Sequence, residues 1–213
     1  MKTILCFGDS NTWGAQPMTN LDSAQRYGPD VRWGSVLRTT LGEGYWVVEE
    51  GLNGRTTVWA DAVEGEYKSG KSYLPACLES HAPLDLVAIM LGTNDLKNRF
   101  GLSAWDIAAS AGVLVQMVQS SRFGPNLAAP RVLLICPPPV ARLTLFAEMF
   151  AGATEKSREL ARWYSSIAAR YHCDFLDAGA SIVSSDVDGI HLEPDQQRRL
   201  GLVVAEKVRA ILG

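Results

Sequence analysis

The stretch Thr3-Ile-Leu-Cys-Phe7, followed at once by Gly8-Asp-Ser-Asn11, shows how this chain is organised. Five largely apolar residues end at a glycine, and the residues after that glycine are polar. A short apolar run bounded by turn residues is typical of a strand buried on both faces of a parallel sheet. Four more runs of this kind follow along the chain, at residues 45–49, 85–91, 131–136 and 173–177.

Helical patterns lie between these runs, at residues 31–41, 102–119, 145–171 and 194–212. In the third of them, Leu160, Tyr164 and Ile167 recur at the spacing of one helix face. Strands that alternate with helices predict a three-layer α/β sandwich with a central five-stranded parallel sheet. Two long stretches without a pattern, residues 11–30 and 55–72, are expected to be loops, and loops of this length are usually functional.

Length and composition exclude several classes of protein. The 213 residues, 47% of them hydrophobic and 20% charged, suit a single folded domain spanning residues 1–213. A formal net charge of -3 argues against a nucleic-acid partner, because binding phosphates requires a surplus of Lys and Arg. The four cysteines form no C-x-x-C pair, which argues against a zinc ribbon. Since no signal peptide or membrane span is recognisable, we expect a cytoplasmic protein with no membrane partner.

Polar turns follow four of the predicted strands. In an open parallel sheet, ligands bind outside the carboxyl ends of the strands, so these turns are expected to meet at one edge of the sheet. They comprise residues 8–11, 51–54, 92–95 and, a short stretch beyond the fifth strand, 188–191.

Three side chains in these turns have the types needed for nucleophilic catalysis. Ser10 follows the first strand directly, and His191 stands three residues after Asp188. An Asp this close can orient the imidazole, which can then act as a base toward a serine hydroxyl. Each residue also has a structural interpretation, since Ser is a favoured helix N-cap and the Asp–His pair fits a surface turn. The other two histidines, His81 and His172, have no acid placed in this way, and we expect structural roles for them.

Two further residues could stabilise an oxyanion. The Asn94 amide can donate from the end of the third strand, and Gly54 offers a backbone N–H with no side chain in the way. Alone, Asn94 also fits an Asx-turn, and Gly54 fits an ordinary Asn-Gly turn. Together with Ser10, His191 and Asp188, however, all five residues fall at predicted strand ends, which chance explains poorly.

The residues 8–11, 54, 92–95 and 188–191 resemble the four sequence blocks of the SGNH hydrolase superfamily, also called GDSL hydrolases. Longer stretches resemble its arylesterase/acyltransferase branch, which is perhydrolase-like. Two departures concern the site, since Asn11 stands where that branch often has Leu, and Gly54 stands where its typical member has Ala. The matching stretches are Ile4-Leu-Cys-Phe-Gly-Asp-Ser10, Tyr27-Gly-Pro-Asp-Val-Arg-Trp33, Ser72-Tyr-Leu-Pro75, Ile89-Met-Leu-Gly-Thr-Asn-Asp95 and Val187-Asp-Gly-Ile-His191.

The resemblance implies a flavodoxin-like SGNH fold and a role for each matching residue. Ser10 would be the nucleophile, His191 the base and Asp188 its orienting acid. The oxyanion hole would consist of the backbone N–H groups of Ser10 and Gly54 and the side chain of Asn94. Asp9 and Asp95 are expected to fix loops through hydrogen bonds. Candidate substrate-binding residues are Trp13, Thr93, Phe150 and Ile190, although Phe150 also fits a core position.

The resemblance further implies a reaction that uses no cofactor and no metal. The expected substrates are small aryl or short-acyl carboxylic esters, cleaved through an acyl-enzyme, with possible acyl transfer to alcohols or peroxide. Carbohydrate acetyl esters are the alternative within the same fold. A homo-oligomer is also implied, with subunits meeting at residues 55–72 and 11–33.

Two other motifs suggest nucleotide binding and calcium binding, but the residues around each motif do not fit that function. Residues 65–72 fit the P-loop pattern G-x-x-x-x-G-K-[ST], which would make the protein nucleotide-binding. No strand pattern precedes this motif, Pro75 follows too soon for a helix, and Glu66 would repel phosphate. Residues 186–189 partly match a calcium loop, but the remaining acids are misplaced. No serine lies in a G-x-S-x-G motif, which disfavours the α/β-hydrolase fold.

Overall fold

A five-stranded parallel sheet forms the centre of the computed structural model, which describes residues 1–22 and 24–213. The strands are β1 (Lys2–Gly8), β2 (Tyr45–Gly51), β3 (Leu86–Met90), β4 (Arg131–Cys136) and β5 (Asp174–Asp177). Their order in the sheet is β2-β1-β3-β4-β5, so the chain runs outward from β1 first in one direction and then in the other. This reversal between β1 and β3 is the type of place where open α/β sheets bind ligands.

The predicted strands are all present, but their burial is uneven. Every residue of β3 is buried, as are five of the six residues of β4. The edge strands differ from the expectation of complete burial, because only Val47 of β2 is buried and every residue of β5 is partly exposed. An edge strand has a neighbour on one side only, and the helices cover it less completely.

Helices cover both faces of the sheet and make the predicted three-layer sandwich. The side chains of α2 and α6 form one apolar core against the sheet, and those of α3, α4 and α5 form the other. The helices are α1 (Ser10–Trp13), α2 (Trp33–Leu41), α3 (Gly70–Ser80), α4 (Ala104–Gln119), α5 (Ala153–Arg170) and α6 (Pro194–Leu212). None of the described helices is long and apolar enough to cross a membrane.

Helix α3 was not expected, since the sequence around Pro75 argues against a helix. The structure shows Pro75 inside it. Two hydrogen bonds anchor the start of α3, because the N–H of Gly70 donates to the Thr56 carbonyl and that of Lys71 donates to Thr57. Burial of apolar side chains further along the helix, such as Leu74, offsets the loss of one helical hydrogen bond at proline.

The predicted helix over 145–171 is shorter than expected. Residues 145–152 form turns, and α5 begins only at Ala153. Gly152, the residue before it, has a φ of 79°, a left-handed conformation that interrupts a helix. The turns matter for function because they place Phe146, Met149 and Phe150 beside the carboxyl ends of the strands.

Candidate active site

The loop after β1 presents Ser10 at the first position of a short helix. Asp9 is the N-cap of this helix, since its Oδ1 accepts the N–H of Asn11 at 3.0 Å. The alternative interpretation of Ser10 as an N-cap is therefore wrong. With its hydroxyl not needed for capping, Ser10 can direct it toward another side chain.

A continuous chain of hydrogen bonds links Ser10 to His191 and Asp188. The Ser10 Oγ lies 3.1 Å from Nε2 of His191, and Nδ1 of the same ring lies 2.6 Å from Oδ2 of Asp188. The turn at residues 188–191 carries both the acid and the base, which are three residues apart, and it brings His191 to Ser10. All three residues are buried, so bulk water competes little for these hydrogen bonds.

Asp188 is held as a carboxylate by the donors around it. Its Oδ1 accepts the N–H groups of Ile190 and His191 at 2.9 Å each, and its Oδ2 also accepts the N–H of Met18 at 2.7 Å. Burial by itself would raise the pKa of Asp188, but the hydrogen bonds and the His191 charge outweigh burial, and the pKa lies below its ordinary value. The carboxylate can therefore fix the imidazole and stabilise its positive charge.

Three donors lie where an oxyanion could be bound. No hydrogen bond within the described part of the chain uses the backbone N–H of Ser10 or that of Gly54. The φ of Gly54 is 77°, in the left-handed region that favours glycine. The Nδ2 of Asn94 lies 3.2 Å from the Arg55 carbonyl and 3.5 Å from Oδ2 of Asp9, which orients the amide.

Two buried carboxyl groups support these loops. Burial raises the pKa of Asp9 to about 6, and it raises the pKa of Asp95 to about 7. Asp95 accepts hydrogen bonds from both the backbone N–H and the hydroxyl of Thr57. Asp95 thereby ties the loop after β3 to the loop that contains Gly54, in agreement with the loop-fixing role expected for it.

A cavity of about 230 Å³ opens beside Ser10 and His191. Phe146 is in edge-to-face contact with His191, the two ring centroids being 6.1 Å apart. The lining combines apolar and polar side chains, namely Ser10, Ala15, Met18, Leu21, Ala24, Asn53, Gly54, Glu64, Asn94, Lys97, Phe146, Met149, Phe150, Ile190 and His191.

Only two of the four residues expected to bind substrate are part of this wall. Phe150 and Ile190 line the cavity, and both also belong to the core. Trp13 and Thr93 are absent from the lining in the described structure. Trp13 ends α1 and its ring lies against the guanidinium of Arg26, 4.9 Å away, whereas Thr93 is buried.

A charged network at the cavity wall was not predicted from the sequence. Lys97 is only 2% exposed, and its Nζ lies 2.5 Å from Oε1 of Glu64 and 3.4 Å from Oδ2 of Asp61. Arg99 completes the network, with its Nη2 2.7 Å from the same oxygen of Glu64. More than thirty positions separate the two acids from the two cations, so no local spacing could reveal them.

The P-loop pattern and the partial calcium motif do not have the structural context that either function requires. Residues 65–72 follow no strand; they form the 3-10 helix Glu66–Lys68 and the start of α3. Although the motif does open a helix, contrary to expectation, the strand required by a P-loop is missing from this part of the described chain. In the partial calcium motif, the carboxylate of Asp188 is already hydrogen-bonded to His191, which argues against its being a calcium ligand.

One group of described residues could ligate a metal, and it lies away from Ser10. The ligand atoms of Glu50, Cys77 and His81 are within 4.8 Å of one another. The Nε2 of His81 lies within hydrogen-bond distance of Oε1 of Glu50, at 2.9 Å, which agrees with the structural role expected for His81. The buried guanidinium of Arg55 interacts with Glu50 and Cys77, and its positive charge opposes a cation there.

Comparison with known proteins agrees with this geometry. The sequence pattern of the GDSL-like Lipase/Acylhydrolase family matches residues 6–199. The chain belongs to this family. Among solved structures, it is similar to the aryl esterase of M. smegmatis, with 46% identity, full coverage of both chains and a TM-score of 0.95.

Two further solved structures match this GDSL-family chain over the full length of both chains. One is a carbohydrate acetylesterase from Sinorhizobium meliloti, with 41% identity and a TM-score of 0.94. The other is a putative arylesterase from Agrobacterium tumefaciens, with 39% identity and a TM-score of 0.90. No curated protein sequence matches the chain. These relationships identify it as an ester-hydrolysing enzyme with the SGNH hydrolase fold.

Proposed function

We propose that this GDSL-family enzyme is a serine esterase in which Ser10, His191 and Asp188 form the catalytic triad. The observation that supports this most directly is the chain of hydrogen bonds from Ser10 through His191 to Asp188 at the wall of a cavity. Serine esterases need a nucleophile, a base and an orienting acid in this order.

The proposed reaction proceeds through an acyl-enzyme. The Ser10 Oγ attacks the ester carbonyl while Nε2 of His191 takes its proton and then returns that proton to the leaving alcohol. The N–H groups of Ser10 and Gly54 and the amide of Asn94 bind the oxyanion, where one donor is typically worth about 3 kcal/mol of barrier. Water, activated by His191, then releases the carboxylic acid and restores Ser10.

We propose small aryl or short-acyl carboxylic esters as substrates. A cavity of about 230 Å³ accommodates a small ester, and Phe146, Phe150 and Ile190 give part of its wall an apolar surface. The similarity to the aryl esterase of M. smegmatis supports the same class. Because apolar walls limit access of water, we extend the proposal to acyl transfer from the acyl-enzyme to alcohols or peroxide.

Carbohydrate acetyl esters are a second candidate class. The similarity to the acetylesterase of Sinorhizobium meliloti favours it, and both classes have the same catalytic chemistry. The difference between them lies in the alcohol part of the ester, which the cavity wall must recognise.

The test of the triad uses two serine variants. Ser10→Ala is expected to abolish hydrolysis of p-nitrophenyl acetate and labelling by a fluorophosphonate probe, with an unchanged unfolding transition. Ser120→Ala, on the exposed end of α4, is the matched control and should retain both. Turnover by Ser10→Ala at more than one hundredth of the original rate would exclude Ser10 as the nucleophile.

We also propose a homo-oligomer located in a reducing cytoplasm. Exposed aromatic side chains at Trp59, Tyr67 and Trp105 support a protein contact, and two of them lie in the stretch 55–72. All four cysteines are free, which suits a reducing compartment. Sedimentation at micromolar concentration should give a mass above one chain, and a monomer would refute the oligomer.

A further inference from the structure

Glu64 places a free carboxylate oxygen in the cavity. Its Oε1 accepts hydrogen bonds from Lys97 at 2.5 Å and from Arg99 at 2.7 Å, whereas its Oε2 has no hydrogen-bond partner among the described residues. The two cations therefore hold one oxygen, and the other remains available to a ligand. Glu64 itself lines the cavity together with Ser10 and His191.

The free oxygen lies next to the proposed oxyanion hole. A Cβ added to Gly54 would lie 2.3 Å from Oε2 of Glu64, so the carboxylate fills the space that a side chain at position 54 would need. The neighbouring residue Asn53 also lines the cavity, and its Oδ1 is buried without a hydrogen-bond partner in the described structure. This wall thus offers acceptors, in contrast to the apolar wall around Phe146.

The charge of Glu64 does not oppose catalysis, because its network is balanced. Asp61 and Glu64 contribute two negative charges, and Lys97 and Arg99 contribute two positive charges. The two cations offset the charges of the two acids, which limits the repulsion that Glu64 exerts on a developing oxyanion. The free oxygen can still accept a strong hydrogen bond, since hydrogen bonds to charged acceptors are about twice as strong as those between neutral groups.

We infer that Glu64 is a specificity-determining residue that accepts a hydrogen bond from a hydroxyl group in the alcohol part of the ester. The preferred substrates are then esters of polyhydroxylated alcohols rather than of plain alkyl alcohols. This inference rests on the proposed function, because it assumes that the ester carbonyl is bound at Gly54 and Asn94. The inference assigns the choice of alcohol to the charged wall, which Asn53, Glu64 and Lys97 form, and the binding of apolar groups to the apolar wall around Phe146.

The test compares two acetate esters with the same three-carbon alcohol chain, 2,3-dihydroxypropyl acetate and propyl acetate, of which only the first carries hydroxyl groups. The measured quantity is the ratio of their kcat/KM values, which cancels general effects on catalysis. We expect the native protein to prefer the dihydroxypropyl ester. In Glu64→Gln, the amide oxygen must stay with Lys97 and Arg99, because those cations can only donate. The amide NH2 then faces the cavity, and the ratio should fall by about tenfold or more.

Two more variants complete the design. Gly54→Ala should also lower the ratio, because its Cβ displaces Oε2 of Glu64, and the double variant should lower it no further than the larger single effect. Glu66→Gln removes a charge from the exposed 3-10 helix nearby and should leave the ratio unchanged.

The outcomes separate this inference from the proposed function. An unchanged ratio in Glu64→Gln, with propyl acetate still hydrolysed, would overturn the role of Glu64 and leave the triad intact. An equal loss on both esters would also overturn it, since Glu64 would then act on catalysis or folding rather than on the choice of alcohol. If the native protein hydrolysed neither these esters nor p-nitrophenyl acetate, the proposed function itself would fail.

Discussion

Replacing Asp188 by Asn tests the triad with almost no change in shape. The carboxylate of Asp188 receives four hydrogen bonds: two backbone N–H groups donate to Oδ1, and the N–H of Met18 and the imidazole share Oδ2. An amide keeps one oxygen and puts an NH2 group in place of the other. Since the NH2 group cannot accept, one pair of donors loses its acceptor in either orientation of the amide.

The less costly orientation is the one that stops catalysis. If NH2 replaces Oδ1, the N–H groups of Ile190 and His191 are both left unpaired, and each buried donor costs about 1–3 kcal/mol. If NH2 replaces Oδ2, only the N–H of Met18 is left unpaired, because the imidazole can shift its proton to Nε2 and accept at Nδ1. That tautomer cannot take the proton of Ser10.

We therefore expect Asp188→Asn to fold, with a loss of about 1–3 kcal/mol of unfolding free energy and a fall in kcat of about 10⁴-fold. Urea unfolding measures the first quantity, and turnover of p-nitrophenyl acetate measures the second. Asp186→Asn is the matched control, because Asp186 is exposed two residues away, and it should change kcat less than twofold. A kcat of Asp188→Asn within tenfold of the native value would refute the argument from the tautomer.

Two further predictions concern buried charges. Lys97→Met should lower the unfolding free energy by about 3 kcal/mol, because it leaves the Glu64 and Asp61 carboxylates with Arg99 as their one remaining cation in this network. A loss below about 1 kcal/mol in urea unfolding would contradict this prediction. Burial raises the pKa of Asp95 from 3.8 to about 7, so between these pH values the folded protein keeps the Asp95 carboxyl protonated, whereas the unfolded chain releases that proton. The unfolding free energy should therefore fall as pH rises from about 4 to about 7. Asp95→Asn should reduce that pH dependence in unfolding curves between pH 4.5 and 7.5 to the part that Asp9 contributes, and an unchanged slope would show that Asp95 does not cause it.

The sheet could be predicted from the sequence because its pattern is local. Each strand is a short apolar run that ends at a polar turn, and Arg131–Cys136 was located with both ends correct. Helix α3 could not be predicted in this way. Its first N–H groups are bonded to Thr56 and Thr57, fourteen residues before them in sequence, and Pro75 gives the opposite local signal. Tertiary contacts decide such a helix, and they are not visible in a window of neighbouring residues.

The same distinction applies to the site. Ser10 and Asn94 could be located because each comes shortly after a strand, and the carboxyl ends of parallel strands meet at one edge. His191 could be located because Asp188 stands three residues before it. The charged wall could not, because Glu64 and Lys97 lie on two loops whose approach depends on the whole fold. Trp13 shows a limit of such reasoning, since closeness in sequence to Ser10 does not make it part of the cavity lining in the described structure.

Gly54 links the two halves of the site, and this limits how the enzyme can change. The absence of a Cβ at this position allows a φ of 77° and leaves the N–H free for an oxyanion. The same absence leaves the space that Oε2 of Glu64 occupies. A side chain at position 54 would therefore displace Oε2 of Glu64 and disfavour the present backbone conformation of the residue whose N–H is proposed to bind the oxyanion. With the roles proposed for Gly54 and Glu64, stabilisation of the transition state and choice of the alcohol are coupled through one residue, whereas substitutions at Phe146 or Met149, on the apolar wall, can change the binding of apolar groups without moving Gly54.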